Sequence, residues 1–334
     1  MINIQTKPST IASNILQTVG NTSLVQLSKL FIAQDFKVYG KSEYNNPSGS
    51  IKDRTALSIL KDALNKGLIN ENSTIVESSS GNMALGLAQA CLYLGLKLIV
   101  VVDPKINLHT QKLLETYQVK IIKVEQPLDD GGFLGARLAK IQELLHNIPN
   151  SYWTNQYGNQ ANPLAHHQTM EEIFKDLNRK VDYLFMATST CGTIMGCANY
   201  IHKHQLPTKI IAVDAKGSVL FGGESKKRIV PGHGAAVPSQ FLDTSKLYDH
   251  VEVSDLDCIK GCWSLLSNEA ILCGGSTGGV VQAIQQYAYK IPKNSNCVMM
   301  LCDRGERYLD TIYNKDWINK NIPKANNFVQ FRTK

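Results

Sequence analysis

The 334-residue sequence has no apolar run of about 18 residues, so a membrane-spanning helix is not expected. It also has no basic run with interleaved aromatic residues, because the lysines and arginines behind its net charge of +7 are spread along the chain. Nucleic acid is therefore not an expected partner, whereas small anionic molecules are. The N-terminal residues lack the charged start and apolar core of an export signal, which favours a cytoplasmic location.

The eight cysteines do not have the spacing of a disulfide framework or of a zinc site. Cys258 and Cys262 form one close pair and Cys297 and Cys302 another, but neither has a second pair of Cys or His residues at zinc-site spacing. We therefore expect no metal site. The thiols are expected to be reduced and to fill the core.

Short β-branched runs alternate with amphipathic helical patterns along most of the chain. This alternation is typical of α/β folds, in which helices cover both faces of parallel sheets. Continuously apolar runs such as residues 98–102 match the buried strands of such sheets. Eight strands are predicted, at residues 38–43, 74–77, 96–102, 120–124, 182–187, 209–214, 250–253 and 297–302.

The length of the chain and its polar breaks near mid-chain predict two lobes. We assign residues 46–150 to a smaller, mobile α/β lobe, and residues 1–45 with 151–334 to a larger one. Two facing lobes would bring the carboxyl ends of both sheets to a shared cleft, where α/β proteins bind ligands. The glycine-rich, charged segment 216–238 is predicted to be a long loop near this cleft. His233 within it could reach the cleft, but a position at the surface is favoured.

Residues 46–54 lead from a predicted strand into a helix, with Lys52 in its first turn. Cations are unusual there, because the positive end of the helix dipole repels them. Lys52 therefore either begins a solvated surface helix or is held where its ammonium group readily loses a proton. A neutral amine is what Schiff-base chemistry requires. Arg54 and Arg304 are each predicted to form a structural ion pair with a carboxylate.

A second junction between a strand and a helix spans residues 77–83. Ser79, Ser80 and Gly81 would present hydroxyls and backbone amides that can bind a carboxylate, and Asn82 adds a side chain that both donates and accepts. Simple capping of the helix by Ser80 or Asn82 explains the same pattern.

A third junction combines Ser189, Thr190, Cys191, Gly192 and Thr193. Hydroxyls and small residues at a helix N-terminus suit a phosphate group. No lysine follows the glycine, so this is not a nucleotide-binding loop of the GxxxxGK[ST] type. A phosphate carried by a cofactor fits this loop better than a phosphate that is being transferred.

The fourth junction, residues 273–279, is either another anion-binding loop or a tight, closely packed turn. A hydroxyl such as that of Ser276 could also form a hydrogen bond to a ring nitrogen. Together the four junctions match one cofactor, with an aldehyde for Lys52, a phosphate for residues 189–193, a ring oxygen for Asn82 and a ring nitrogen for Ser276. Pyridoxal 5′-phosphate has all four groups.

The segments 46–54, 80–82, 189–193 and 275–278 resemble the cysteine synthase group of fold type II pyridoxal-phosphate enzymes, the tryptophan synthase β family, and occur in the same order. The resemblance runs from residue 18 to residue 309. It implies a two-lobed α/β fold with the cofactor in the interdomain cleft, β-replacement or elimination on amino acids, and a homodimer.

Two positions depart from the cysteine synthases. Met83 stands where they have threonine, and residues 189–193 read Ser-Thr-Cys-Gly-Thr instead of Gly-Thr-Gly-Gly-Thr. Four other segments resemble one branch of the group, the N-(2-amino-2-carboxyethyl)-L-glutamate synthases of siderophore biosynthesis, which make a precursor of 2,3-diaminopropionate. These segments are residues 101–106, 152–157, 213–219 and 231–235.

The resemblance to this branch implies O-phospho-L-serine and L-glutamate as the two substrates. A leaving phosphate needs a cation, and we expect Arg137 to bind it together with Tyr157 and Ser189. The alternative for Arg137 is a solvated helix position. The substrate carboxylate is expected on residues 79–83, including Met83. Two other functions stay open, a cysteine synthase that uses sulfide and a catalytically silent binding protein.

Overall fold

Two sheets, one of six strands and one of four, form the framework of the chain. In this computed structural model, which describes residues 11–129 and 131–322, helices cover both faces of both sheets. The predicted α/β fold is confirmed.

The smaller sheet is parallel throughout and has the order β5-β4-β3-β6. Its strands are β3 (Thr74–Ser78), β4 (Lys97–Val102), β5 (Lys120–Lys123) and β6 (Ser151–Trp153). The larger sheet has the order β1-β2-β10-β7-β8-β9, and only β1 runs antiparallel to its neighbour in the described chain. Its strands are β1 (Leu24–Gln26), β2 (Lys37–Lys41), β7 (Tyr183–Ala187), β8 (Lys209–Ala215), β9 (Asp249–Val253) and β10 (Asn296–Met300).

Helices alternate with strands from β2 to β8, and two helices lie between β9 and β10. The helices are α1 (Lys52–Asn65), α2 (Asn82–Leu94), α3 (Leu108–Thr116), α4 (Gly132–Asn147), α5 (Ala161–Asp176), α6 (Gly192–Lys203), α7 (Asp255–Glu269), α8 (Gly275–Tyr287) and α9 (Lys315–Asn321). Short 3-10 turns occur at Ile15–Thr18, Glu43–Asn45, Thr244–Lys246, Ala288–Lys290 and Gly305–Tyr308.

Alternation along each strand explains why the predicted strands are continuously apolar. In β4, Val100 packs against the helices on one face of the sheet, while Ile99 and Val101 pack in the core on the other. In β7, Phe185 and Leu184 likewise belong to cores on opposite faces. Side chains of consecutive strand residues point to opposite faces, so a strand covered on both sides needs apolar residues at every position.

All eight predicted strands are present, with ends that differ by no more than two residues. The two strands that the sequence did not predict, β1 and β6, have three residues each. β6 follows the predicted lobe boundary at residue 150 and pairs with β3, so the smaller sheet extends past that boundary. The division into two lobes stays a prediction. Residues 216–243 contain no helix or strand, as predicted for the loop 216–238.

Helix α1 lies between the two sheets, because it packs against α2 on one side and α5 on the other. A buried ion network holds it there. The Arg54 guanidinium donates to Glu43 and to Glu172, and the Nζ of the buried Lys41 lies 2.8 Å from a Glu172 oxygen. The predicted ion-pair role of Arg54 is confirmed. The network anchors α1 through Arg54, which lies two residues after Lys52.

Two predictions about charged and titratable groups are wrong. Arg304 is exposed and its Nε donates to the Tyr44 carbonyl at 3.0 Å, and no carboxylate of the described residues forms an ion pair with it. His233 is not at the surface. Its ring is buried beneath β8, with Nε2 3.0 Å from the Val213 carbonyl and Nδ1 3.5 Å from the Cys258 thiol. The sequence of this loop has no periodicity from which the burial of His233 could be predicted.

The described residues 11–129 and 131–322 contain eight free thiols, seven of them buried, and Cys302 is half-buried. Within the same residues, no helix is long and apolar enough to cross a membrane. No group of three or more His, Cys, Asp or Glu side chains in that part of the chain has the arrangement of a metal site.

Candidate active site

A cavity of about 300 Å³ opens between the two sheets, at the carboxyl ends of β3, β7 and β10. Ligands of α/β proteins bind at such strand ends. All the predicted site residues except Gly192 line this cavity, namely Lys52, Ser79, Ser80, Gly81, Asn82, Met83, Arg137, Tyr157, Ser189, Thr190, Cys191, Thr193 and Ser276. Residues that lie up to 224 positions apart in the sequence therefore meet at one site.

Lys52 is the first residue of α1, and its side chain lines the cavity instead of a solvated surface. Burial lowers the pKa of its ammonium group, against the opposing effects of Cys302, Asp303 and Cys191. No hydrogen bond or ion pair joins its Nζ to another described residue. The amine therefore loses its proton more readily than a surface lysine and is free to react.

The loop 189–193 is held rigidly at the start of α6. Cys191 adopts a left-handed conformation with φ of 64°. Gly192 lies so close to Asn162 that a Cβ atom there would be 2.3 Å from the Asn162 Nδ2. That amide donates to the Gln156 carbonyl at 2.7 Å. Gly192 therefore supports the loop from beneath, and this is why it does not line the cavity.

A buried histidine adjoins this loop. The Nε2 of His166 lies 3.1 Å from the Thr193 hydroxyl, and its Nδ1 lies 3.3 Å from the Thr169 hydroxyl. Burial, assisted by the positive charges of Lys52 and Arg54, lowers the pKa of His166 well below its usual value. The imidazole is therefore neutral at pH 7 and can fix the orientation of Thr193. The hydroxyls and amides at the start of α6 offer the donors that a phosphate needs.

Helix α8 begins at Gly275, within the fourth junction, and Ser276 lies in its first turn beside the cavity. The glycines of this region allow close packing. A Cβ on Gly261 of α7 would lie 1.9 Å from the Gly278 carbonyl, and one on Gly278 would lie 2.0 Å from the Cys258 carbonyl. The glycines are therefore closely packed, as one of the two interpretations expects. Ser276 itself is 9% exposed.

The loop 78–83 rests on a buried carboxylate. Glu77 accepts hydrogen bonds from the Ser78 amide at 2.7 Å, the Thr154 hydroxyl at 2.6 Å and the Gln156 amide at 3.2 Å, and burial raises its pKa. The cap of α2 is Gly81, without a side-chain hydrogen bond. Neither Ser80 nor Asn82 caps the N-terminus of α2, so the first backbone amides of this helix stay available to a carboxylate.

The Asn82 side chain reaches across the cavity to the segment that follows β10. Its Nδ2 donates to Asp303 at 2.7 Å, and its Oδ1 accepts from Arg307. Asp303 and Tyr308 line the cavity, yet no sequence motif pointed to either of them or to Arg307. Their position directly after the last strand of the larger sheet was the signal that could have found them.

Arg137 lies within α4 and faces the cavity, with 14% of its side chain exposed. Its Nε is 3.6 Å from an Asp103 oxygen, and this buried nitrogen has no hydrogen bond. Arg137 is therefore not at a solvated helix position. Tyr157 lines the same part of the cavity, and burial raises its pKa while the charge of Arg137 opposes that rise. Arg137 and Tyr157 thus place a guanidinium and a phenol hydroxyl on one side of the cavity.

The donors around this cavity fit the groups of pyridoxal phosphate. A readily deprotonated amine is available for an aldehyde, and a helix N-terminus with hydroxyls is available for a phosphate. A carboxamide and a serine hydroxyl face the same space for the ring oxygen and the ring nitrogen. The roles predicted for the individual residues stay predictions.

Comparison with known proteins agrees with this fit. The chain is similar to a hydrogen sulfide-producing enzyme from Fusobacterium nucleatum, with 31% identity, a TM-score of 0.84, and coverage of 90% of this chain and 100% of that one. It is similar to an O-acetylserine-dependent cystathionine beta-synthase from Helicobacter pylori, with 26% identity, a TM-score of 0.85, and 92% and 100% coverage. It is also similar to an O-acetylserine sulfhydrylase isoform from Entamoeba histolytica, with 29% identity, a TM-score of 0.86, and 93% and 94% coverage.

The model of one protein family, described as pyridoxal-phosphate dependent enzymes, matches residues 15–303. This range includes every predicted site residue, from Lys52 to Ser276. The chain therefore belongs to the family of pyridoxal-phosphate dependent enzymes, and pyridoxal 5′-phosphate is its cofactor.

Proposed function

We propose that the protein exchanges the side-chain phosphate of O-phospho-L-serine for the amino group of L-glutamate. The Cβ–O bond of phosphoserine breaks and an N–Cβ bond forms, which gives N-(2-amino-2-carboxyethyl)-L-glutamate and phosphate. The observation that carries this proposal is Arg137, which lines the cavity and whose buried Nε has no hydrogen bond. The product would supply 2,3-diaminopropionate for siderophore synthesis.

Four sets of residues would hold the cofactor. Lys52 would bind its aldehyde covalently, residues 189–193 its phosphate, Asn82 its ring oxygen and Ser276 its ring nitrogen. When bound, pyridoxal phosphate supplies an electron sink that makes the α-proton of an amino acid acidic.

Lys52 would move that proton. Its pKa is lowered by burial, so the amine can accept the α-proton as a general base and return it later to the product. The serines and backbone amides at the start of α2 would bind the substrate carboxylate, with Met83 packed beside them. The α-carbon would then lie near the Lys52 amine.

Arg137 would bind the leaving phosphate. A guanidinium matches phosphate with two parallel hydrogen bonds, and Asp103 holds this one from its Nε side at 3.6 Å. Tyr157 would stay a neutral donor because burial raises its pKa, and the Ser189 hydroxyl would donate from the opposite loop. An acetyl leaving group, which carries less charge, does not need the guanidinium.

A second candidate is a cysteine synthase that uses sulfide, because two of the similar structures are named for activities on O-acetylserine. The purified protein should be supplied with O-phospho-L-serine and either L-glutamate or sulfide, and the new amino acid identified by mass spectrometry. We expect the glutamate adduct. Cysteine as the sole product would overturn the proposed function in favour of the second candidate.

The role of Arg137 can be tested by comparing leaving groups. Arg137→Met should lower kcat/KM for O-phospho-L-serine by about 100-fold or more, the effect of about 3 kcal/mol for a charge-assisted contact, and that for O-acetyl-L-serine much less. Lys140→Met removes a cation from the exposed side of the same helix and is the matched control. Equal losses with both substrates would exclude the phosphate-binding role.

Lys52→Ala tests whether the protein is catalytic at all. The wild type should absorb near about 410 nm with the cofactor bound, and the variant should lose this band together with turnover. A catalytically silent binding protein would lack the band in its wild-type form.

Three further features are proposals. The protein would be a homodimer, as the resemblance to the cysteine synthases suggests, and it would be located in the cytoplasm. Residues 46–150 would move as a smaller lobe relative to residues 1–45 with 151–334, which carry the phosphate loop and Ser276.

A further inference from the structure

A cluster of three polar side chains follows β10 and has no part in the proposed steps. Asp303 is 2% exposed and lines the cavity together with Tyr308. One oxygen of Asp303 accepts two hydrogen bonds, from the Asn82 Nδ2 at 2.7 Å and from the Tyr308 hydroxyl at 2.5 Å. Burying a carboxylate costs free energy, which hydrogen bonds such as these offset.

Arg307 joins three segments of the chain. One terminal nitrogen of its buried guanidinium donates to the Asn82 Oδ1, and the other donates to the Ser48 carbonyl. Its own carbonyl accepts from the Asn107 Nδ2 at 3.3 Å, at the start of α3. Ser48 in turn donates its amide and its hydroxyl to Asp53, the neighbour of Lys52. The guanidinium thus connects the loop before Lys52 with the start of α2.

These contacts determine the orientation of the Asn82 carboxamide. The Arg307 guanidinium has only donors, and the Asp303 oxygen that faces Asn82 accepts from the Asn82 Nδ2. A carboxamide turned by 180° would set its amino group against the guanidinium and its oxygen against the carboxylate. One N–H of the Asn82 amino group is taken by Asp303, so the second N–H remains for an acceptor in the cavity.

We propose that Asp303 and Arg307 are positioning residues that hold the Asn82 carboxamide in the orientation in which its free N–H binds the ring oxygen of the cofactor. They act through Asn82, and Arg307 also ties it to the turn before Lys52. The inference rests on the proposed contact of Asn82 with the cofactor, but not on the choice of substrates.

The test is titration of the apoprotein with pyridoxal phosphate, followed by absorbance, without any substrate. Arg307→Met should weaken cofactor binding by about 10-fold to 100-fold, the range expected for loss of a hydrogen bond to a charged group. Arg304→Met removes an exposed guanidinium of the same segment and should leave the affinity unchanged. Wild-type affinity in Arg307→Met would overturn the proposal.

A double variant distinguishes positioning from a direct contact. In an Asn82→Ala background, adding Arg307→Met should weaken binding by less than about twofold, because the group through which it acts is gone. The full loss repeated in that background would mean that Arg307 acts independently of Asn82, and would overturn the proposal.

A second pair of variants gives the same answer if Arg307→Met does not fold. Asp303→Asn removes the carboxylate that orients the Asn82 amino group and should weaken cofactor binding by about 10-fold or more. In an Asn82→Ala background the same change should weaken binding by less than about twofold, and the full loss repeated there would overturn the proposal. A mistaken substrate assignment would leave all these titrations unchanged, so the two failures are distinguishable.

Discussion

The two loops that face each other across the cavity are held in different ways. The loop 189–193 is fixed from within its own layer, since Gly192 packs against Asn162 and Thr193 against His166. At the start of α2, a Cβ on Gly81 would meet no atom within 4 Å, and Asn82 is held by residues that belong to the opposite sheet. One loop is part of a packed core, and the other depends on contact across the cleft. The first loop is therefore positioned by packing within one layer, and the second by hydrogen bonds between residues of the two sheets.

The largest expected difference between the loops is in their tolerance of a methyl group. Gly192→Ala should lower the free energy of unfolding by about 1–3 kcal/mol, because its Cβ would lie 2.3 Å from Asn162. Gly81→Ala should change it by about 0.5 kcal/mol or less. Urea unfolding of both variants measures the difference. Similar losses would show that the two loops are equally well packed.

The loops should also respond to pH with opposite sign. The pKa of His166 in the folded protein lies below its usual value of 6.5, so its contribution to stability is complete above pH 6.5 and is lost as the pH falls further. His166→Gln should therefore lose less stability than the wild type between pH 7 and pH 5. A parallel pH profile for the two proteins would contradict this reading of His166.

Glu77 beneath the other loop should behave in the opposite way. Burial raises its pKa above the usual 4.5, so its ionised form destabilises the fold, and the wild type gains stability relative to Glu77→Gln as the pH falls toward 4.5. The difference in urea midpoint between wild type and variant, followed from pH 8 to pH 4.5, measures the effect. A wild-type urea midpoint that falls relative to that of Glu77→Gln on acidification would refute it.

The smallest expected effect concerns backbone conformation. Cys191 has φ of 64°, so Cys191→Gly should be about 0.5–1 kcal/mol more stable than Cys191→Ala. Ser80 is not among the described residues with positive φ, and there the alanine variant should be the more stable of the same pair. Thermal unfolding of the four variants tests whether the ranking reverses between the loops.

The sequence predicted the elements and the junctions well because both depend on local patterns. Strands covered on both faces are apolar at every position. Glycine and serine are frequent where a strand is followed by a helix whose N-terminal amides are free. The three-residue strands β1 and β6 were missed, since a segment this short has no periodicity to detect. They exist because β2 and β3 offer free edges to pair with.

The partners of charged side chains could not be predicted from local patterns. Arg54, Arg304 and Arg307 look alike in the sequence, yet one enters a buried ion network, one binds a carbonyl at the surface, and one reaches across the cleft to Asn82. Their partners lie 11 to 260 residues away. Which contact each arginine makes is decided only when the two sheets come together.

The order of strands in the larger sheet has a consequence for how the protein is made. β10 lies between β2 and β7, so the sheet has no continuous centre until residues 296–300 have left the ribosome. The smaller sheet has all its strands by residue 153 and can form much earlier. The nascent chain must therefore carry two separated halves of an unfinished sheet for most of its synthesis. A protein cut short before Asn296 would lack both the centre of that sheet and the Arg307 contact to Asn82.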